Sequence, residues 1–446
     1  MGHIVFAAPS ISRFHLHHRL RRDLLRRGHR VSILCTDRCR FTFWREQVSD
    51  VDLVEPTHRY DCPEAMLEIV AQVGPAEPRH QWQRLLPAVA RWFEREQPDL
   101  VLFHQERSAT TACIQFAART LGSRVLWTGD GLLRHTMQVD ERGLDADASC
   151  RRWTSEDFAV VAPDDALLHA SLTHALANGQ PLALPRATAS VPQLRRRLTD
   201  AAHDALSGRF QTAMTDLIGW RAAFPDDRPD QLATPMLDLK PPFLAVLLQD
   251  ANDPRVLHDA SQAPDARDLI QRAVVAADAL GPETQVVAVL PDCISRSQLA
   301  AGSLAGEHGH RVRIASAGNA AVIAATSAAT ITINHPAATV ALLSGTPVVH
   351  LGRALYELPG VTTSTTLEQL PDAIASLQQH DCPELRRPFL TWLLQHGHVW
   401  CSATAPNHNG MLGLVQAVER RLLSDAEHNS RPLPYRPGPT WPLAMQ

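Results

Sequence analysis

The sequence predicts an α/β protein of two domains, each built on a parallel sheet with helices on its faces. Three observations lead to this prediction. The chain has 446 residues, more than the roughly 250–300 at which a single core usually stops growing. Short apolar runs alternate with amphipathic stretches near the N-terminus, and the same alternation begins again after Pro241 and Pro242. Such alternation is typical of βαβ units.

The first alternating region opens with the apolar run 4–8, which predicts a strand. Residues 13–28 follow with leucines on one helical stripe, and Gly28 is a natural helix end. The run RVSILC over 30–35 predicts the second strand of a βαβ unit. The remaining predictions for this region are helices over 86–97 and 109–121 and strands over 100–104 and 124–127.

The second alternating region follows a stretch, 150–235, that favours helices and loops. Its predicted strands cover 243–248, 285–290, 329–333 and 347–351, and its predicted helices cover 266–280, 319–327 and 337–344. We therefore expect an N-terminal domain over 1–238 with a helical insertion at about 150–235, a second domain over 239–395, and C-terminal helices with a proline-rich tail over 396–446.

Composition excludes several classes of protein. The net charge of −4 gives no general attraction to nucleic acid. The eight cysteines form no CxxC pair, which argues against zinc and suits a reducing compartment. No GxGxxG or Walker-type loop is present, so no dinucleotide or ATP cofactor is expected. Because the chain begins with a strand-like run and not a signal peptide, a cytoplasmic location is expected.

Ligands of open parallel sheets bind outside the carboxyl ends of the strands. The loop Gln249-Asp250-Ala251-Asn252-Asp253 directly follows the buried-type strand 243–248. A carboxylate in this loop could act as a nucleophile or base. The alternative is a solvated turn in which Asp or Asn caps a helix.

Two further strand ends of the second region carry polar groups. Asn334 and His335 follow the predicted strand 329–333 and precede a helix, whose N-terminus could hold a phosphate. A helix cap or a core histidine is the alternative for His335. Arg353 follows the strand 347–351 and could bind phosphate or carboxylate through two parallel hydrogen bonds.

In the first region, Asp130, Gly131 and Arg134 follow the predicted strand 124–127. Glycine allows a ligand to approach the backbone, while the other two residues supply an acid and a cation. An ordinary turn is the alternative. The basic stretch 19–27 favours a solvated helix face, with contact to an anionic membrane surface as the alternative.

Three segments carry a resemblance to a known family. They are TITINHPAATVALLSGTPVVHLGRALYELPGVT over 330–362, FLAVLLQDANDPRVL over 243–257, and WTGDGLLRHTMQVDERGLDADAS over 127–149. The chain resembles the capsule polysaccharide biosynthesis and export family, whose enzymes are retaining β-Kdo (3-deoxy-manno-octulosonic acid) transferases that use CMP-Kdo. The likeness extends over most of residues 1–420.

The resemblance implies a GT-B-like fold: two Rossmann-type domains whose parallel sheets face each other across a cleft, with CMP held by the second domain. It makes Asp253 the nucleophile of a double displacement, since retention at the anomeric carbon needs two inversions. The expected donor-binding residues are Gln249, Asn252, Asn334, His335 and Arg353. Asp130 is the second expected catalytic residue, and Gly131, Arg134 and Arg107 are assigned to the acceptor side.

The chain departs from the family pattern at three places. Gly129 stands where the family has a glutamate, a role that Asp130 or Glu106 could take over. Leu290 replaces a histidine, and His335-Pro336 replaces a Ser-Thr pair.

Three functions remain open at this point. One is transfer of Kdo or a related ulosonic acid from a CMP-sugar, which is a substrate and not a cofactor, onto a glycan or lipid-linked acceptor. The second is a non-catalytic partner in a polysaccharide assembly complex, and the third is a GT-B enzyme with another nucleotide-sugar donor. Peripheral contact with the inner membrane or an export complex is a further expectation, whereas no metal and no nucleic acid are expected.

Overall fold

A computed structural model describes most of the two predicted alternating regions. The residues described are 1–56, 79–104, 108–177, 242–249, 264–291, 309–377, 382–403 and 406–424, together with Val256, Asp259 and Glu307. The fold is α/β with two sheets in which parallel pairing dominates. The α/β class predicted from the sequence, with two sheets dominated by parallel strands, is confirmed.

The first sheet has seven strands in the order β13-β6-β5-β4-β1-β2-β3. Its strands are β1 (His3–Ala7), β2 (Arg30–Cys35), β3 (Val51–Leu53), β4 (Leu100–His104), β5 (Arg124–Asp130), β6 (Met137–Asp140) and β13 (His398–Val399). The five strands from β1 to β5 pair in parallel, whereas β6 and β13 are antiparallel to their neighbours. The helices of this region are α1 (Phe14–Arg26), α2 (Arg38–Gln47), α3 (Arg79–Glu96) and α4 (Ala109–Thr120).

The second sheet has six parallel strands in the order β12-β11-β10-β7-β8-β9. They are β7 (Phe243–Leu247), β8 (Gln285–Val289), β9 (Val312–Ala315), β10 (Ala329–Thr332), β11 (Val348–His350) and β12 (Thr363–Ser364). The helices of this region are α7 (Ala266–Ala277), α8 (Ala320–Thr326), α9 (Ala338–Ser344), α10 (Leu370–Ala375) and α11 (Pro383–Trp392). β7 lies in the middle and is completely buried, which explains its continuous apolar run.

Two segments of the chain pack against the region other than the one that their sequence position suggests. The helices α5 (Ser155–Ala159) and α6 (Asp165–Ala177) fall in the predicted insertion of the first domain, yet they pack on α9 and α11 of the second region. In the opposite direction, β13 joins the edge of the first sheet, and α12 (His408–Leu423) packs against α1 and β5. One apolar core accordingly contains residues of both regions, such as Phe158 and Phe389.

Strand β5 differs from its predicted extent. The sequence predicts a strand over 124–127, but the strand continues to Asp130 because β6 pairs with it and extends the ladder. Thr128, Gly129 and Asp130 are therefore strand residues and not part of a following loop.

None of the helices in the described ranges combines the length and the apolar composition that a membrane span needs.

Candidate functional site

The carboxyl ends of β7 and β10 meet at the centre of the second sheet, where Leu247 pairs with Thr332. Two residues beyond each strand, Gln249 and Asn334 form a reciprocal pair of hydrogen bonds. The Nε2 of Gln249 donates to the Asn334 Oδ1 at 2.8 Å, and the Asn334 backbone N–H donates to the Gln249 Oε1 at 3.0 Å. Both residues are buried. The pair holds the residues that directly follow β7 and β10 in place.

The end of β11 is tied to the same place. The Nδ2 of Asn334 donates to the backbone carbonyl of Arg353 at 3.2 Å, and the Gly352 N–H donates to the carbonyl of Ile333 at 3.1 Å. The structure thus brings together Gln249, Asn334 and Arg353, three of the residues predicted to bind the donor. The other two loop residues assigned from the sequence, Asn252 and Asp253, lie outside the described residues, as does Arg107.

His335 caps the start of α9. Its Nδ1 accepts a hydrogen bond from the Ala337 N–H at 3.1 Å, which leaves the ring proton of the neutral form on Nε2. The hydroxyl of Tyr356 donates to the backbone carbonyl of His335 at 3.1 Å. The helix has only seven residues, and an N–H at its start is already bonded to the ring. The helix-cap alternative therefore describes His335 better than a phosphate site at the helix N-terminus.

Two ion pairs, which we call the clasp, connect the segment after β6 with the segment after β11. The Arg353 guanidinium donates to the carbonyl of Ala146 at 3.0 Å and to the Asp147 Oδ1 at 3.2 Å. In the second pair the arginine belongs to the segment after β6 and the carboxylate to the segment after β11: the Arg151 Nη2 lies 2.6 Å from the Glu357 Oε2. The Arg353–Asp147 pair is about half exposed, so it contributes little to stability. Arg353 is consequently available to exchange its carboxylate for another anion.

At the carboxyl edge of the first sheet, Asp130 pairs with Arg13 of the segment leading into α1. The Arg13 Nη2 donates to the Asp130 Oδ2 at 2.7 Å. The Asp130 side chain is 39% exposed, so a ligand could reach its carboxylate. Arg134 is half-buried in the turn between β5 and β6, and burial lowers the pKa of its guanidinium.

Gly131 has a structural reason to lack a side chain. A Cβ at this position would lie 2.2 Å from the Thr136 Oγ1 and 2.7 Å from the His398 Cδ2. The groups that approach this glycine closely are thus the protein's own. This packing explains why the position is a glycine, while the assignment of Gly131 to the acceptor side stays a prediction.

His398 is a residue of this edge that sequence reasoning missed. Its Nδ1 donates to the Leu393 carbonyl at 3.0 Å, and its Nε2 accepts from the Leu132 N–H at 3.1 Å. The ring is buried, and burial lowers its pKa to about 4. It joins the C-terminal part of the chain to the turn after β5. Leu132 and His398 are 266 residues apart, so no local sequence pattern predicts their contact.

We expect the unfolding free energy to fall as the pH drops from 6.5 towards 4. Burial lowers the pKa of His398 to about 4 and that of His104, in the first sheet, to about 3. Because the unfolded chain binds these protons near pH 6.5, the stabilisation is complete above that pH and is lost below it. Each histidine contributes at most about 1.4 kcal/mol per pH unit.

Denaturant titrations of the wild type and of His104→Asn at several pH values test this dependence. Between pH 6 and 4, the slope of the unfolding free energy against pH should be smaller in the variant than in the wild type, by about the contribution of one bound proton. Equal slopes in the two proteins would show that His104 takes up its proton in the folded state at its ordinary pKa.

No group of three or more potential ligands that could hold a metal occurs in the part of the chain that the structure describes.

Comparison with known proteins yields one family. The family model for capsule polysaccharide biosynthesis proteins matches residues 203–393, a range that includes the whole second sheet, the Gln249–Asn334 pair and Arg353. No curated protein matches the chain.

Several solved structures are similar at low identity. A β-Kdo 2,7-transferase, KpsC of Thermosulfurimonas dismutans, is 11% identical, covering 94% of this chain and 99% of that one, with a TM-score of 0.40. MurG of Acinetobacter baumannii is 12% identical, covering 94% and 100%, with a TM-score of 0.37. A putative UDP-N-acetylglucosamine 2-epimerase from Listeria monocytogenes is 12% identical, covering 97% and 98%, with a TM-score of 0.36.

Proposed function

We propose that the chain is a glycosyltransferase of the capsule polysaccharide biosynthesis family, whose model matches residues 203–393. The proposed reaction moves Kdo or a related ulosonic acid from its CMP-sugar onto a glycan or glycolipid acceptor, with retention of configuration. The donor is a substrate, and the proposal includes no cofactor, metal or nucleic acid.

The observation that supports the proposal most is the Gln249–Asn334 pair. It lies at the carboxyl ends of β7 and β10, two adjacent central strands, where open parallel sheets bind their ligands. The two buried side chains hydrogen-bond each other and so hold the two strand ends in one arrangement. A nucleotide site requires such a fixed arrangement. The loop that starts at Gln249 carries Asp253, the residue that the family resemblance makes the nucleophile.

The donor's charges need cationic or hydrogen-bonding partners. We assign the phosphate and the sugar carboxylate to Arg353 and to the Nε2–H of His335, which lies beside the same strand ends. Arg353 can bind either anion through two parallel hydrogen bonds. To do so, its guanidinium would exchange Asp147 for the donor. Donor binding would thereby open one half of the clasp.

The proposed chemistry has two displacements. In the first, a carboxylate oxygen of Asp253 attacks the anomeric carbon, the bond from that carbon to the phosphate oxygen breaks, and CMP leaves. In the second, an acceptor hydroxyl attacks the same carbon, the bond to Asp253 breaks, and the hydroxyl proton passes to a base. We assign that base to Asp130, whose carboxylate is exposed at the edge of the first sheet.

One observation favours a second candidate, a non-catalytic partner in a polysaccharide assembly complex. Gly129 is a β5 residue that pairs with Gln138 and provides no carboxylate where the resembled family has glutamate. If Asp130 does not replace that group, the chain would serve the complex by binding a glycan, without binding a nucleotide donor or transferring sugar. In either role we place the protein in the cytoplasm, with peripheral contact to the inner membrane or an export complex as part of the proposal.

Thermal unfolding in the presence of CMP, UDP and GDP tests the donor assignment. We expect CMP alone to raise the melting temperature, because a ligand at 100 times its Kd adds about 2.7 kcal/mol of stability. A response to UDP or GDP instead would indicate another donor. No response to any nucleotide would contradict the transferase proposal and support the non-catalytic partner.

A further inference from the structure

A second polar cluster lies at the carboxyl edge of the first sheet, on the face that α1 covers. It consists of Arg13, His17, His104, Thr128 and Asp130, which we call the histidine cluster. Leu100 and Leu102 of β4 pack with Leu16 and Leu20 of α1, so His104, two residues further along the strand, lies on the same face. The rings of His17 and His104 are in edge-to-face contact, with their centroids 4.9 Å apart.

Hydrogen bonds determine which nitrogen of His104 carries the proton. The Thr128 hydroxyl donates to the carbonyl of Phe103 at 2.9 Å, so its oxygen can only accept from the His104 Nδ1, 3.1 Å away. The proton is therefore on Nδ1, and Nε2 is a hydrogen-bond acceptor. Nδ1 faces the neighbouring strand β5, so Nε2 lies on the side of the ring turned away from β5.

The Nε2 atom of His104 is buried and has no hydrogen-bond partner among the residues that the structure describes. The residue as a whole is 8% exposed. Buried polar side-chain atoms nearly always have a partner, so an unsatisfied one needs an explanation. Its position supplies one, because β4 lies beside β1, where the strand order reverses and where parallel sheets bind ligands.

The groups around this nitrogen select the chemistry of the ligand. Burial, with the nearby Arg13 charge as a further cause, lowers the pKa of His104 to about 3, so the ring is neutral. A neutral ring nitrogen with a lone pair accepts a hydrogen bond from a hydroxyl and repels an anion. The Arg13–Asp130 pair forms the more exposed rim of the cluster, at 20% and 39% side-chain exposure.

We propose that the histidine cluster is the acceptor site, in which the Nε2 of His104 accepts a hydrogen bond from a hydroxyl of the saccharide. The ligand class is a neutral polyol, and the inference rests on the proposed function. The incoming sugar displaces Arg13 from Asp130, and this exchange frees the Asp130 carboxylate next to the bound hydroxyl. His104 is therefore an acceptor-binding residue, and the Arg13–Asp130 pair closes the site when it is empty.

Nitrogen NMR of protein labelled at its histidines with ¹⁵N tests the site without a complete reaction. Maltotriose and N-acetylated chitotriose serve as neutral probes, a Kdo-terminated disaccharide is the anionic comparison, and the spectrum of His104→Asn assigns the His104 signals. At least one neutral sugar should move the Nε2 signal of His104 towards that of a hydrogen-bonded acceptor. If no neutral sugar moves it, the acceptor site is wrong.

Two variants separate binding from a structural role. His104→Asn keeps an amide N–H in place of Nδ1, facing Thr128, but removes Nε2, so sugar affinity should fall at least about tenfold while the melting temperature stays the same. His104→Gln, which restores a polar group near the Nε2 position, should recover part of the affinity. Unchanged affinity in His104→Asn would overturn the inference. CMP binding does not involve His104. A wild-type protein that does not respond to CMP would therefore contradict the proposed function and not the acceptor site.

Discussion

Replacing Asp253 with asparagine is expected to reduce sugar transfer by at least about a thousandfold, since the loss of a covalent nucleophile is among the largest single effects known in enzymes. The amide has nearly the shape of the carboxylate, so the melting temperature and the response to CMP should change little. Steady-state transfer rates with the wild-type protein and the variant measure the effect.

A matched control lies in the same loop. Asp250→Asn makes the same chemical change three residues earlier, and this variant should keep its transfer rate within about tenfold of the wild type. Intact-mass measurement after rapid quenching should also detect a sugar bound covalently to the wild type but not to Asp253→Asn. Equal transfer rates for the wild type and Asp253→Asn would exclude Asp253 as the nucleophile.

The second large effect is expected for Gln249→Leu. Leucine has a similar volume but removes both hydrogen bonds to Asn334, at 2.8 and 3.0 Å, in a buried setting. The loss of these bonds should lower the free energy of unfolding by about 2–4 kcal/mol, because unsatisfied buried groups bear the full cost of desolvation. The start of the 249–253 loop is then no longer held, so the response to CMP should disappear as well.

Denaturant unfolding and CMP titration of the same samples measure both effects. Gln369→Leu is the control, since Gln369 is exposed beside α10 and its substitution should change stability by less than about 0.5 kcal/mol. A Gln249→Leu protein that is destabilised yet binds CMP as the wild type does would show that the pair supports the fold but not the donor site.

The fold was largely predictable from the sequence. The apolar runs at 243–248 and 100–104 lie in the middle of their sheets, where both faces are buried, so their composition alone identifies them as strands. Strand order was beyond such reasoning. The edge strand β13 contributes only His398 and Val399 to the first sheet and depends on pairing with β6, far away in the sequence.

The candidate site was predictable in part. Gln249, Asn334 and Arg353 each follow a strand of one sheet, and the rule that ligands bind at carboxyl ends was enough to group them. The pairing of Arg13 with Asp130 was missed because the residues are 117 positions apart and no local sequence pattern indicates which carboxylate Arg13 contacts. For His335 the sequence could not tell which ring nitrogen faces a ligand. The structure shows that Nδ1 accepts a hydrogen bond from the Ala337 N–H, so the neutral ring donates through Nε2.

The central claim is that the carboxyl edge of β7 and β10 holds the nucleotide donor opposite Asp253. A crystal structure of the chain with CMP and a non-transferable ulosonic acid analogue tests it most directly. The account predicts the phosphate within hydrogen-bond distance of Arg353, with Asp147 released, and the Asp253 carboxylate facing the anomeric carbon. A nucleotide bound at the edge of the first sheet, or an Asp253 side chain turned away from the sugar, would contradict it.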